Sequence, residues 1–299
     1  MPTPSNSRFF EVFAQGGRSA ESPADPVTVR LAGEAQGEGP PIVLLHGVSA
    51  TRRTVVHGSR HLVRRGYRLI GYDARGHGDS APAPSRTGYE YRDLVLDLAA
   101  VLDRVEVERP VLAGSSMGAA TAMAFALEHP ERVTALVQIT PAYDGTPHRD
   151  SAVLAAWDRL ADALEHGGVE GFVAASEPED IPERWREASR RATRQRLQRH
   201  RHPGAVADAL RVVPRSAAFE SLDSLEHLQT PTLIVGSRDE ADALHPLRVA
   251  QAYAERLPHS ELVVEEEGKS PLPWQGARLS RAIAGFLERA LPELVPRPG

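Results

Sequence analysis

The sequence contains no cysteine. This absence excludes disulfide bonds, zinc sites built on thiolates and a cysteine nucleophile, and it is compatible with a reducing compartment. No apolar stretch approaches the length of a membrane span. The first residues also lack the basic segment followed by an apolar run that marks a secretory signal. We therefore expect a cytoplasmic protein with no membrane partner.

An excess of basic residues is also lacking, because Lys and Arg number 35 against 40 Asp and Glu, for a net charge of −5. Nucleic-acid-binding proteins usually carry a basic footprint, so we expect no nucleic-acid partner. Eight arginines do cluster in one short segment: Arg184, Arg186, Arg190, Arg191, Arg194, Arg196, Arg199 and Arg201. We interpret them as a solvated helix face paired with carboxylates. A small-molecule substrate is the partner we expect, and the oligomeric state stays open.

Short apolar runs bounded by Gly or Pro recur along the 299 residues and predict strands buried on both faces. They cover residues 42–45, 68–72, 111–113, 135–139, 232–235 and 262–264. Apolar residues at helical spacing predict helices over 91–105, 117–127 and 279–287. Residues 33–41 are predicted to be a turn between two N-terminal strands. Alternation of strands and helices predicts an α/β fold with a mostly parallel, doubly wound sheet.

The alternation breaks between residues 143 and 227, where helical patterns cover 152–166, 182–200 and 204–212. We interpret this stretch as a helical cap inserted into a core made of residues 1–142 and 228–299. Caps of this kind exclude water from an active site and shape its pocket. A second helical domain without a catalytic role is the alternative.

The strongest chemical signal follows the strand 111–113. Gly114-Ser115-Ser116-Met117-Gly118 is a G-x-S-x-G motif between a strand and a helix, the context that makes the motif meaningful. A sharp turn there exposes the hydroxyl of Ser116 as a nucleophile, and the flanking glycines supply the space. The N–H of Met117 can donate to a developing oxyanion.

Two further loops support this interpretation. His46-Gly47-Val48 follows the first buried strand. Proteins with a G-x-S-x-G turn between a strand and a helix place a second oxyanion donor in this loop, here the N–H of Val48. We expect His46 itself to be structural. The second loop, residues 73–80, closes a strand with a polar, glycine-rich turn, which we interpret as structural.

With these motifs the chain resembles the capped α/β-hydrolases, among them bacterial esterases, enol-lactonases, carbon–carbon bond hydrolases and cofactor-free haloperoxidases. The matching segments occur in the family's order and are His46-Gly47, residues 73–80, residues 114–118 and residues 236–239. The resemblance spans about residues 40–140 and 228–290. It implies an α/β-hydrolase fold with a helical cap, and it constrains the substrate weakly because this fold hosts many reactions.

The resemblance implies a catalytic triad in the order Ser, acid, His. Asp239, after the strand 232–235, is the favoured acid. Glu240 and Asp242 compete with it nearby, and Asp144 occupies an alternative acid position.

The expected base is where this chain departs from the family, because relatives carry Gly-His where it has Gly268-Lys269. A serine hydroxyl needs an adjacent base, and a lysine serves only if its pKa is lowered by several units. The carboxylates of residues 265–267 would oppose such a lowering. Loss of a triad histidine costs about 10⁶ in turnover.

Three accounts of the base stay open. In the first, His245, six residues after Asp239, replaces the missing histidine. In the second, Lys269 is itself the base. In the third, Lys269 pairs with Asp239 and the protein is not a hydrolase but a small-ligand binding module or a lyase- or cyclase-type enzyme. The first two predict a serine hydrolase that cleaves a small carboxylic ester or lactone through an acyl-enzyme on Ser116.

Three tryptophans are candidates for the substrate pocket: Trp157, Trp185 and Trp274. Trp274 is the most interesting because it follows Lys269 by five residues. We find no metal-ligand signature and no glycine loop with phosphate-binding spacing, and we therefore expect no metal and no cofactor.

Overall fold

A computed structural model describes residues 7–18, 26–176, 182–238, 245–266, 274 and 277–296. These residues form an eight-stranded sheet in the order β1-β2-β4-β3-β5-β6-β7-β8. The strands are β1 (Arg8–Arg18), β2 (Pro26–Gln36), β3 (Pro41–Leu45), β4 (Arg68–Tyr72), β5 (Val111–Ser115), β6 (Ala135–Ile139), β7 (Thr232–Gly236) and β8 (Ser260–Val264). The β1–β2 and β2–β4 pairs are antiparallel and the other pairs are parallel.

The helices among the described residues are α1 (His61–Arg64), α2 (Tyr91–Arg104), α3 (Met117–Glu128), α4 (Ser151–Ala175), α5 (Glu183–Leu197), α6 (Pro203–Val212), α7 (Leu247–Arg256) and α8 (Ala277–Ala290). Apolar side chains of α2, α3 and α7 pack in one cluster on one face of the sheet. Those of α1 and α8 pack in a second cluster on the other face. The doubly wound α/β architecture predicted from strand–helix alternation is therefore confirmed. No helix among the described residues is both long and apolar enough to cross a membrane.

Helices α4, α5 and α6 lie between β6 and β7 in the chain and share a small apolar cluster. The cluster comprises Ala161, Leu164, Phe172, Leu197, Val206, Ala207 and Leu210. Val48 packs against both this cluster and the main core. The helical segment therefore contacts the loop that follows β3. Its division from the core at residues 143 and 227, and its role as a cap, stay predictions.

Two element bounds differ more than the others from the sequence-based expectation. Strand β2 continues to Gln36, so the turn occupies residues 37–40 rather than 33–41. Gly33 belongs to this strand and lies under the ring of Phe10, which would come within 2.1 Å of a Cβ at that position. Helix α4 continues to Ala175, beyond the predicted 166, across a kink at Gly168 with φ 61° and ψ −153°.

Candidate active site

Ser116 lies in a sharp turn between β5 and α3. Its backbone has φ 52° and ψ −113°, a conformation that costs a non-glycine residue free energy and is concentrated at functional sites. Its N–H donates to the carbonyl of Ile139 at 3.1 Å, and its carbonyl accepts from the N–H of Ala120 at 3.0 Å. The turn is therefore fixed by the neighbouring strand and by the first turn of α3, and the half-buried side chain is left at the carboxyl edge of the sheet.

The flanking glycines are required by close backbone approach. A Cβ on Gly114 would lie 2.2 Å from the carbonyl oxygen of Gly118, and a Cβ on Gly118 would lie 2.3 Å from the carbonyl oxygen of Leu45. Both contacts are with backbone, which cannot move aside as a flexible side chain can. The spacing of the motif is thus explained by packing of α3 against β3 and β5.

Two backbone donors lie beside the serine. Met117 opens α3, where the first N–H groups have no intrahelical acceptor, and the positive end of the helix dipole favours negative charge. Gly47 lies against Ser116, since a Cβ on it would be 3.9 Å from the Ser116 Oγ, and Val48 follows. Among the described residues, the N–H groups of Val48 and Met117 donate to no protein acceptor.

Comparison with known proteins places this geometry in a family. The family model for the alpha/beta hydrolase fold matches residues 40–277. The chain belongs to the α/β-hydrolase family. It is 31% identical over 207 residues to a Rhizobium rhizogenes protein named as a carbamate hydrolase, RutD, a match that covers 68% of this chain and 75% of that protein. The chain is therefore an enzyme of the hydrolase class.

Two further relatives fit this family assignment. A Mycobacterium phage D29 protein named as a non-heme haloperoxidase is 34% identical over 125 residues, and this match covers 42% of this chain and 44% of that protein. A thermophilic esterase from Thermogutta terrifontis superposes with a TM-score of 0.73 at 23% identity, covering 97% of this chain and all of that one. The structural likeness confirms the α/β-hydrolase fold.

His46 in this α/β-hydrolase is bound to backbone at both ring nitrogens. The N–H of Ala74 donates to Nε2 at 2.9 Å, so Nδ1 carries the proton and lies 2.8 Å from the carbonyl oxygen of Gly47. Burial lowers the pKa of His46 and keeps the ring neutral. The ring ties the loop after β3 to the end of β4, the structural role expected of it.

The polar turn after β4 is held by two buried acidic groups. Asp73 accepts from the N–H of Arg52 at 2.8 Å and from the N–H of Asp79 at 2.9 Å, and its carboxylate also contacts the Arg52 guanidinium. Arg75, with no exposed side-chain surface, donates to both oxygens of Asp97 at 2.8 and 2.7 Å. These contacts give the turn the structural role predicted for it.

The favoured acid and the residue at the usual base position, Asp239 and Lys269, lie outside the described residues, as do Glu240 and Asp242. His245 is half-buried and precedes Pro246, where α7 begins. The alternative acid Asp144 accepts from the Thr146 hydroxyl at 3.2 Å and lies 3.7 Å from a guanidinium nitrogen of Arg248. These assignments therefore stay predictions.

Glu265, which the sequence marks only as one of three acidic residues before Lys269, is a buried carboxylate. It is 2% exposed and lies directly after β8. Its Oε1 accepts from the N–H of Arg238 at 2.6 Å, while its carbonyl accepts from Nε of Arg238 at 3.2 Å. Its Oε2 is buried without a partner among the described residues. Glu265 thus joins the ends of β7 and β8, just before the segments that contain Asp239 and Lys269.

The predicted pocket tryptophans occupy three different environments. Trp157 is partly buried against the apolar cluster of the helical segment. Trp185 lies under the guanidinium of Arg184, 4.5 Å from the ring centroid. Trp274 is a core side chain beside α8, and its Nε1 donates to the carbonyl of Gly236 at 3.1 Å. Their contact with substrate stays a prediction.

Among the residues that the structure describes, at least four of the arginines between residues 184 and 201 pair with carboxylates, as expected of a solvated face. The pairs are Arg186 with Glu183, Arg190 with Glu187, Arg194 with Glu170 and Arg201 with Asp79. Within the described ranges, His, Asp and Glu side chains form no group of three or more that could hold a metal ion.

Proposed function

We propose that this enzyme hydrolyses a small carboxylic ester or lactone through an acyl-enzyme on Ser116. The strained backbone of Ser116 between β5 and α3 is the observation that carries the proposal, because it presents a hydroxyl beside two unused backbone donors. The names of the relatives support it, since an esterase and a carbamate hydrolase both cleave a carbonyl–heteroatom bond.

In the first step, Oγ of Ser116 attacks the carbonyl carbon of the substrate and transfers its proton to a base. The carbonyl oxygen becomes an oxyanion that accepts from the N–H groups of Met117 and Val48. Collapse of this intermediate expels the alcohol, which takes the proton from the base. Water then attacks the acyl group by the same path and releases the acid.

The base is His245 or Lys269, and Asp239 is the acid that orients it. His245 requires no unusual pKa, because an unperturbed imidazole titrates near neutral pH. Lys269 requires a strongly lowered pKa.

The helical segment of residues 143–227 is proposed to act as a cap. Its apolar cluster packs on Val48, one of the two oxyanion donors. This contact supports a cap that covers the site, with Trp157 lining the pocket and water excluded from the acyl-enzyme.

Hydrolysis of p-nitrophenyl acetate tests the proposal. Ser116→Ala is expected to reduce the turnover at least about 10³-fold. The neighbouring Ser115→Ala is the matched control and is expected to retain the turnover of the wild type. Turnover by Ser116→Ala equal to that of the control would reject the mechanism.

Two further variants identify the base. Loss of turnover in His245→Ala with retention in Lys269→Ala assigns His245, and the reverse assigns Lys269. Wild-type protein that neither turns over esters nor acylates Ser116, yet melts at higher temperature with a small ligand, would favour the non-hydrolytic alternative.

A further inference from the structure

The segment that follows α5 is fastened to the core beside the oxyanion loop. His200 is 8% exposed. Its Nδ1 accepts from the N–H of Gly78 at 2.9 Å, and its Nε2 lies 3.0 Å from the carbonyl oxygen of Ser49. One imidazole of the helical segment therefore bridges the turn after β4 and the loop after β3.

The two contacts define the tautomer of the ring. Because Gly78 donates a proton to Nδ1, that nitrogen carries a lone pair, and the proton of the neutral ring lies on Nε2. Nε2 therefore donates to Ser49. Protonation of Nδ1 would set two donors against each other and break the contact with Gly78.

The carbonyl that His200 holds belongs to a residue in a strained conformation. Ser49 has φ 63°, an uncommon value for a residue other than glycine, and it is 5% exposed. Such conformations persist only where surrounding contacts impose them. The loop is closed by one backbone bond, from the N–H of Ala50 to the carbonyl of Gly47 at 3.0 Å. Val48, between these residues, supplies the proposed oxyanion donor.

We propose that His200 is a positioning residue that orients the Val48 N–H by holding the Ser49 carbonyl. The helical segment thereby completes the oxyanion hole as well as covering it. This inference rests on the proposed function, because it concerns a donor used in hydrolysis.

The charged and titratable groups near His200 come from three segments. They are His46 after β3, Asp73 and His77 after β4, and Arg196 on α5. The ring centroids of His77 and His200 are 5.6 Å apart. Burial lowers the pKa of His200 to about 4, so the bridging neutral form is present at neutral pH.

Two amide substitutions separate the contacts of His200. The amide of glutamine reaches the place of Nε2, and that of asparagine reaches the place of Nδ1. His200→Gln is therefore expected to keep the bond to Ser49, whereas His200→Asn keeps only the bond to Gly78. With p-nitrophenyl acetate, we expect His200→Gln to retain kcat within a few-fold, and His200→Asn to lose about 10²-fold in kcat with little change in KM.

Equal kcat values for the two variants, or a higher kcat for His200→Asn, would overturn the inference. Melting temperatures verify that both variants fold. If one of them does not, His200→Ala is measured instead, and added imidazole is expected to raise the kcat of His200→Ala without changing KM. No increase in a folded His200→Ala would contradict the positioning role.

A failure of the proposed function can be distinguished from a failure of the role of His200. If the wild type turns over esters and Ser116→Ala does not, equal Gln and Asn variants reject only the role of His200. If the wild type has no turnover, the proposed function fails and the role of His200 fails with it.

Discussion

Gly47 lies directly against Ser116. A methyl group on Gly47 would lie 3.3 Å from the Cβ of Ser116 and 3.4 Å from the carbonyl oxygen of Ser115. The loop after β3 therefore lies beside Ser116, and a methyl group at Gly47 would require its neighbours to shift by a few tenths of an ångström.

Substitution of Gly47 by alanine is expected to damage activity more than stability. The added methyl group would displace the loop after β3, and with it the Val48 N–H that we propose as an oxyanion donor, by a few tenths of an ångström. Loss of one oxyanion donor costs about 10²–10³-fold in kcat. We expect Gly47→Ala to lose up to about 10²-fold in kcat for p-nitrophenyl acetate. Gly167→Ala is the matched control, because a Cβ there meets no atom within 4 Å. Equal kcat values for the two variants would contradict the prediction.

Removal of Asp97 should destabilise the fold strongly. The carboxylate binds Arg75 at two points, and neither side chain has exposed surface. Asp97→Ala leaves a buried guanidinium without this partner, which costs about 3–5 kcal/mol. The control is Asp103→Ala, whose partner Arg132 is at the surface and whose loss costs less than about 1 kcal/mol. Urea unfolding measures both, and similar free energies of unfolding for the two variants would refute the prediction.

The folded protein should lose stability in mild acid through His200. Burial lowers its folded-state pKa from 6.5 to about 4. Between these values the unfolded chain binds the proton and the folded chain does not, so stability falls as pH falls through this window. Titration of His200 is therefore expected to lower the free energy of unfolding at pH 4.5 by roughly 2–3 kcal/mol relative to pH 7.5.

The variant His200→Gln isolates this effect. Burial lowers the pKa of His46 and His77 as well, and these rings remain in the variant. We therefore expect the free energy of unfolding to fall less between pH 7.5 and 4.5 in His200→Gln than in the wild type. The same fall in both proteins would show that His200 titrates normally in the folded state.

Glu265 is expected to support the segments that contain Asp239 and Lys269. Its side chain holds the N–H of Arg238 at 2.6 Å. Glu265→Gln keeps an acceptor there and should retain most activity, whereas Glu265→Ala should lose about 10-fold or more in kcat, because small misplacements of catalytic groups are costly. The kcat values of the two variants for p-nitrophenyl acetate at pH 7.5 test this prediction. Full activity in Glu265→Ala would exclude the supporting role of Glu265.

The central strands and the turn at Ser116 were predictable because each depends on a local sequence pattern. Strand β4 was predicted with the observed bounds, because a strand buried on both faces is continuously apolar and ends at polar residues. The turn at Ser116 was predictable because Gly114 and Gly118 mark the close approach of α3 to β3 and β5.

Long-range polar contacts were not predictable in this way. His200 and Ser49 are far apart in the chain, and no periodicity relates them. Glu265 stands in a run of three acids, and only the fold distinguishes the buried member from its exposed neighbour Glu266. The bound of β2 was missed because Gly33 reads as a turn residue until Phe10 is seen to cover it.

Covalent labelling with a fluorophosphonate is the direct test of Ser116 as the nucleophile. We expect one phosphonyl group per chain, located by peptide mass spectrometry on Ser116, and no labelling of Ser116→Ala. Unchanged labelling of Ser116→Ala, or stoichiometric labelling of Ser115 in the wild type, would contradict it.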